Sequence, residues 1–302
     1  MLEPRIQKRL ESIRDLPTMP IIISEVLSAI DNPNMSASNL AQIVEKDQAL
    51  TARVLRIANS PYYGFSKRIS TIDLAIVIMG FNTLKEIVLS LVIRRFFSKL
   101  LSKVFNTKSF WYYGLFCASS SRLLARKLGY KIAGEAFVAG LMHDLGVLVI
   151  AEYFTSDYKK IKQLVDQTNE SWINAEYTVL GSDHTDIGSW IAERWNLPSQ
   201  IITSIRNHHT NFKRFKLKNS PNVNFEEIDE PLTAIVSLSE WFASMLGYKE
   251  WIEEKSEIEY YLSEELFPHL SEHEFLDPDS AFASLKQELI EDYNKAGIYS
   301  EF

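Results

Sequence analysis

Five residues of types that ligate metals fall within one stretch of the chain: His143, Asp144, His184, His208 and His209. Four of its six histidines are among them, a clustering that composition alone does not produce. Imidazole and carboxylate donors suit Fe, Mn, Zn or Ni. An adjacent His-Asp pair, joined by histidines from neighbouring helices, could close a mono- or dinuclear centre that polarises a phosphate and activates a water for hydrolysis. The same residues can equally form a buried hydrogen-bond network without metal, with Asp144 setting an imidazole tautomer and His208 standing at a helix C-terminus. Residue type and spacing leave both arrangements open.

The elements that must position these groups read as helices. His143 and Asp144 are the only strongly polar side chains in the sixteen residues Ala136 to Ala151. Val138, Leu141, Met142, Leu145 and Val149 fall at helical spacing while Ala139, Val147 and Ile150 make the opposite face apolar, which predicts one buried helix. A charge-capable pair there is costly unless hydrogen-bonded, ion-paired or metal-bound. Upstream, Phe110, Gly114, Cys117, Ser121, Leu124 and Leu128 form a stripe ending at Gly129, with Tyr113 on the same inward face and Ala118, Ser119 and Ser120 suited to close helix packing. Downstream, a helix from about Asp157 is followed by another from Trp172 that carries Tyr177, Leu180, His184, Ile187, Trp190 and Ile191, so His184 points inward. Asn196-Leu197-Pro198 breaks it, and Ser199 to His209 follows with Ile201, Ile202 and Ile205.

Asn211 to Glu230 reads as a surface loop or linker. Within it Lys213, Arg214, Lys216 and Lys218 could guide a nucleotide phosphate to the histidines, or form a solvated loop balanced by Glu226, Glu227 and Asp229. A helix after Pro231 buries Ala234, Ile235, Leu238, Trp241, Phe242 and Met245, and two further helical segments, Ile258 to Leu266 and Ala281 to Tyr293, flank Asp277-Pro278-Asp279.

The composition narrows the function classes. A chain of 302 residues with 46% hydrophobic and 24% charged residues has the make-up of an ordinary globular protein. A net charge of −7 argues against general nucleic-acid binding, which needs concentrated Lys and Arg. The single Cys117 excludes an intrachain disulfide, and the opening Met-Leu-Glu-Pro-Arg has no apolar signal segment, so a cytoplasmic location is expected. The central apolar run is too short to span a bilayer and Leu74 to Ile93 is interrupted by Asn82, Lys85 and Glu86, so no membrane span is predicted.

The first hundred residues read as short helices between capping signals. Leu16-Pro17-Thr18-Met19-Pro20 is an extended connector. Ile23, Val26, Leu27 and Ile30 then stripe a helix stopped by Asp31-Asn32-Pro33-Asn34, and Ser36 or Ser38 caps the next, over Leu40, Ile43 and Val44. Asp47 caps a helix through Leu50, Val54, Leu55 and Ala58, which Asn59-Ser60-Pro61 ends. Tyr62-Tyr63-Gly64-Phe65 makes an aromatic turn in which Phe65 is expected to pack, Ser70 or Thr71 opens a helix that stops at Gly80, and a longer helix begins at Asn82 or Thr83.

This order of signals closely resembles the HDOD family, a bacterial signalling module related to HD-superfamily metal-dependent phosphohydrolases. The residues that carry it are Leu16-Pro17-x-Met19-Pro20, Ile43-Val44-x-x-Asp47-x-x-Leu50, Leu55-x-x-Ala58-Asn59-Ser60 and Ile69-Ser70-Thr71-Ile72-x-x-Ala75-Ile76-x-x-x-Gly80. It covers about Leu16 to His209, departing at Gln48, where the family usually has Pro. The resemblance implies an all-α, multi-helical HD-like fold, and with the helical reading of the rest of the chain the expected organisation is an N-terminal helical lobe over residues 1–104, an HD-like lobe over 105–250 and a C-terminal helical extension over 251–302. It also implies that HD metal ligation uses an early His, the His-Asp pair and a late Asp. Here Tyr113 stands at the first of these positions and Glu240 at the last, so two framework positions are altered. His184, His208 and His209 resemble the additional histidines of the cyclic dinucleotide phosphodiesterase branch, but Thr210-Asn211-Phe212-Lys213-Arg214 replaces that branch's Gly-Tyr-Pro segment, which disfavours cyclic di-GMP hydrolysis. The expected role is a signalling or regulatory module acting on a protein partner without turnover, with a divalent metal not required. The alternatives are a metal-dependent phosphohydrolase of a nucleotide or phosphoester using His143, Asp144, His184, His208 and His209, or a nucleotide sensor using the same cleft.

Overall fold

In the computed structural model, residues 2–13, 19, 21–30, 36–65, 68–97, 105–168, 170–209, 231–249 and 278–297 are described, and among them no strand occurs. Contacts divide the chain into two units, one of Pro17–Lys99 with Asn294–Phe302 and one of Met1–Leu16 with Leu100–Tyr293.

The first of these holds helices α2 (Ile21–Ile30), α3 (Ala37–Glu45), α4 (Gln48–Ala58), α5 (Ile72–Met79) and α6 (Phe81–Phe97). Its caps are those the sequence predicts, because each supplies an oxygen to an otherwise orphaned N-terminal amide. Ser36 accepts from the Asn39 amide, Asp47 from Leu50 and Thr71 from Leu74. Gly80, at φ 89°, turns the chain sharply between α5 and α6, a conformation open to glycine and few others. Asn59 holds the α4–α5 connection: its amide nitrogen donates to the carbonyls of Leu55 and Ile69, and its oxygen accepts from the Ile69 amide at 2.8 Å. The aromatic turn differs from expectation. Pro61–Tyr63 forms a single 3-10 turn, and Phe65 is 44% exposed because Gly64, in the left-handed region at φ 57°, directs the chain outward.

The other unit carries the site. Helix α1 (Pro4–Glu11) opens it, capped by the Glu3 carboxylate and burying Ile6 and Leu10 completely, each worth about 1.5–3 kcal/mol. Arg9 pairs with Asp157 at 2.9 Å, and the Glu3 amide donates to Ser182 Oγ. The body follows as α7 (Thr107–Lys127), α8 (Ala133–Met142), α9 (Leu145–Tyr153), α10 (Thr155–Thr168), α11 (Trp172–Leu180), α12 (His184–Arg194), α13 (Ser199–Asn207), α14 (Pro231–Met245) and, as far as Tyr293, α15 (Pro278–Gly297). Helices α7, α8 and α14 pack together, while α9 packs on α12.

Two expected helices are each broken in two. The buried run is α8 followed by α9, with His143 and Asp144 at the junction, where Asp144 relaxes to φ −94°, ψ 19°. The helix expected from Trp172 through Ile191 ends at Gly181, φ 77°, and restarts with Asp183 accepting from the amides of Thr185 and Asp186. Tyr177, expected inside, is 46% exposed beside that break, and Met245 at the end of α14 is also exposed. The stretch Ala133–Tyr153 is apolar and long enough to cross a membrane, longer than the sequence suggested, but 89% of its most apolar window is buried inside the protein.

Candidate metal centre

Glycines bring the backbones around the site into contact. A Cβ on Gly140 would lie 2.5 Å from the Cys117 carbonyl oxygen, and one on Gly146 only 1.9 Å from the His184 carbonyl oxygen. Gly188 faces Gly146 in turn, its own Cβ position 3.1 Å from the Gly146 nitrogen. Gly140 thus seats α8 on α7, and Gly146 seats α9 on α12. His143 and Asp144 lie between these two contacts, held by main chain on both sides.

Five side chains from three places in the chain then converge. His184 is the first residue of α12, and His208 and His209 follow the last turn of α13. His143, Asp144, His184 and His208 are at most 2% exposed, and His209 is partly exposed at the rim. Asp144 Oδ1 lies 3.3 Å from His184 Nε2 and 3.4 Å from His208 Nε2, and its Oδ2 lies 3.5 Å from His143 Nε2. His184 Nε2 and His209 Nε2 are 3.0 Å apart. The sequence-named ligands are therefore brought together. They form two overlapping groups, Asp144/His184/His208/His209 and His143/Asp144/His208/Glu240, the candidate ligand atoms of each lying within 4.8 Å of one another.

The far nitrogens decide what the near ones can do. His143 Nδ1 donates to the Gly140 carbonyl and His208 Nδ1 to the Ile205 carbonyl, both at 2.9 Å, and His184 Nδ1 donates to Glu176 Oε2 at 2.6 Å. A carbonyl or carboxylate can only accept, so each of these Nδ1 atoms carries its proton, and Nε2 is the atom that faces the cluster, as a lone pair wherever the ring is neutral. Both oxygens of Asp144 and Nε2 of His208 are buried without a hydrogen-bond partner. Acceptors facing acceptors in a dry interior are costly, and a cation among them removes that cost. The set fits a divalent ion bound by imidazole and carboxylate, and the Nδ1–H contacts are the outer-shell partners that orient such ligands.

Electrostatics follow the same geometry. Burial favours the neutral imidazole at His143 and at His209, holding the first below and the second well below the usual histidine range. Burial pulls His184 down too, but the Glu176 carboxylate outweighs it and raises His184 to about 10. Burial would raise Asp144, yet the neighbouring His143 and Lys249 hold it well below the carboxylate range. Burial pushes the Tyr113 hydroxyl well up, with Asp144 adding to it.

The altered positions are both engaged. Tyr113, wholly buried, donates its hydroxyl to His143 Nε2 at 2.9 Å. Glu240 on α14 accepts from Lys249 and lies 3.6 Å from His209 Nε2. Glu176 and Lys249 are the members that sequence reading missed. Glu176 sits on the buried stripe Trp172, Ala175, Glu176, Leu180, where a carboxylate needs partners, and it has them in the Trp172 indole and the His184 amide and ring. Lys213 and Arg214, the expected phosphate contacts, lie outside the described residues, as do Ile258 to Leu266.

The HDOD domain model matches residues 16–211. The chain belongs to the HDOD family. Its all-α HD-like architecture recurs in an HDOD domain protein of unknown function from Geobacter sulfurreducens, 22% identical, with a TM-score of 0.77 over 97% of this chain and 99% of that one. A Marinobacter aquaeolei VT8 protein, provisionally named a signal transduction protein, is 20% identical with a TM-score of 0.71 over 99% of this chain and 62% of that one. A provisionally named phosphohydrolase from Shewanella amazonensis SB2B is 22% identical with a TM-score of 0.69 over 98% and 96%. At such identities these likenesses establish the HDOD fold. An uncharacterized Treponema pallidum (strain Nichols) protein is 27% identical over 200 residues, and the chain spans 38% of its length.

Proposed function

We propose that this chain is a cytoplasmic HDOD-type signal-transduction module that presents a surface to a protein partner, and that its His/Asp cluster holds a divalent cation as a fixed internal element without turnover. The observation that carries the cation is the convergence of candidate ligand atoms of Asp144, His184, His208 and His209, with Asp144 and His208 left without a hydrogen-bond partner in a buried site. The donor set suits Zn, Fe, Mn or Ni.

Support for the absence of turnover comes from ligand count and engagement. Four protein ligands complete a closed, structural type of site, whereas catalytic sites keep a position for water or substrate. His143 Nε2 is committed to Tyr113 and Glu240 Oε1 to Lys249, which leaves Glu240 with Oε2, 4.0 Å from His208 Nε2. A cation bound here with an open position would supply Lewis acidity to a phosphoester. HDOD membership supports the signalling role, since the family relatives include a protein provisionally named for signal transduction.

The test is elemental analysis of protein purified without chelator, followed by assays on nucleotides and simple phosphoesters with added Mn and Fe. Stoichiometric metal without turnover is expected. Turnover that disappears in His184→Ala would assign the cluster to a phosphohydrolase, and protein that never acquires metal would reduce it to a hydrogen-bond network. A nucleotide that raises the melting temperature without being consumed would place it among sensors.

A further inference from the structure

We infer that the Lys249 ammonium stands in for a second metal ion, so that the cluster takes one divalent cation where its two donor groups could otherwise take two. The inference rests on the cation-binding reading above and goes beyond it by assigning the second position to a residue of the chain itself.

The two overlapping groups are not equivalent. Asp144, His184, His208 and His209 keep their facing donor atoms unoccupied by any fixed cation. In the second group, His143 Nε2 accepts the Tyr113 hydroxyl proton at 2.9 Å and Glu240 Oε1 accepts from Lys249 Nζ. What remains there are Asp144 and His208, both shared with the first group, and Glu240 Oε2, on a carboxylate whose charge Lys249 already balances. Two shared donors and one oxygen of a carboxylate already paired with an ammonium are a poor set for a second ion.

The position of Lys249 is built into the end of α14. Gly247 takes φ 77° and the Tyr248 amide donates back to the Ala243 carbonyl at 2.9 Å, a left-handed helix ending that reverses the chain. Tyr248 then stacks on Phe116 of α7 with ring centroids 4.4 Å apart, and Tyr293 of α15 meets it edge-on at 4.9 Å. With its neighbour wedged in this way, Lys249 is 5% exposed and its Nζ lies 5.7 Å from the Tyr113 ring centroid. A buried ammonium is unfavourable unless a carboxylate faces it, and Glu240 does. Its charge also acts on Asp144, a shared donor, and on His209.

Charge balance points the same way. The carboxylates bonded or ion-paired to the imidazoles are Asp144, Glu176 and Glu240. One divalent ion that displaces the His184 Nε2 proton, together with the Lys249 ammonium, matches their three negative charges. A second divalent ion beside Lys249 would leave a net positive charge in a buried site, where it is poorly screened.

The experiment is Mn2+ titration of the full chain with metal counting and electron paramagnetic resonance. Wild type is expected to saturate at one ion per chain with the six-line spectrum of isolated Mn2+. The Lys249→Met/Tyr113→Phe double variant, which frees Glu240 and His143, is expected to approach two ions with loss of six-line intensity through spin coupling, whereas Lys249→Arg stays at one. Two ions in wild type, or a folded double variant that stays at one, overturns the inference. If the double variant does not fold, the wild-type count decides. A wild type that binds no Mn2+, Fe or Zn overturns the cation-binding reading itself, a result separate from two ions, which overturns only the role of Lys249.

Discussion

At the scale of single residues, the site divides into groups that sequence can show and groups that it cannot. Four histidines on or beside apolar stripes are visible because an imidazole facing a core needs an explanation. Glu176 escaped because a stripe through Tyr177 and His184 assumes one continuous helix, whereas the buried face of α11 runs through Trp172, Ala175, Glu176 and Leu180. Lys249 escaped because a lysine two residues after a helix-ending glycine reads as surface, and only the reversal at Gly247 brings it back to α14. Glu176 also gives a measurable consequence. Its oxygen fixes the His184 ring through both Nδ1 and the backbone amide, so Glu176→Gln is expected to weaken metal binding about 10- to 100-fold with little change in fold. Competition against a chelator of known affinity, with circular dichroism as the control, measures both.

At the scale of elements, capping was the legible part. Ser36, Asp47 and Thr71 cap the helices they were expected to cap, because a hydroxyl or carboxylate before an apolar stripe has few better uses. Helix continuity was less legible. Apolar spacing runs unbroken through residues 136–151 and from 172 to 191, but periodicity does not register a single turn of altered backbone. The signals that could have marked the breaks were Gly140, Gly146 and Gly181, since glycine within a helical pattern costs about 1 kcal/mol and is kept where backbones meet or a turn is needed. Gly146 is the most demanding of them. Gly146→Ala would push a methyl into the His184 carbonyl and is expected to destabilise the protein by more than about 3 kcal/mol, beyond the usual overpacking range, read as a fall in melting temperature. Gly129→Ala, at φ 73° with no atom near the added Cβ, should cost only the left-handed strain of about 1–2 kcal/mol.

At the scale of the whole molecule, the all-α class and HDOD membership were readable from the order of motifs, whereas the placement of residues 1–16 with the later unit was not. That placement depends on Ile6, Leu10 and the Arg9–Asp157 pair, contacts whose partners lie far along the chain. Each unit also carries a carboxylate that links its stability to pH. In one, Asp47 is held below its ordinary value, first by the Leu50 amide and also by Arg95 at 2.7 Å. In the other, burial would raise Asp157, but Arg9 and Lys160 hold it down. A carboxyl with a lowered folded pKa stabilises fully above its unfolded value and loses that contribution as pH falls through the folded one. Both contributions should therefore fade below about pH 4. Asp47→Asn keeps a capping oxygen and loses the charge, so it is expected to flatten the acid limb of unfolding at helices α2 to α6 alone, as followed by hydrogen exchange.

The backbone contact between Gly146 and Gly188 bears on which mutations the protein can tolerate. Peptide units, with no side chain between them, set the distance from Asp144 to His184. Changing a neighbouring apolar side chain therefore leaves that distance intact, while any side chain at residue 146 forces the two helices apart. In a saturation scan, the histidines would be read as positions where function is lost and protein remains. Gly146, which carries no chemistry, would be the position where the protein itself disappears.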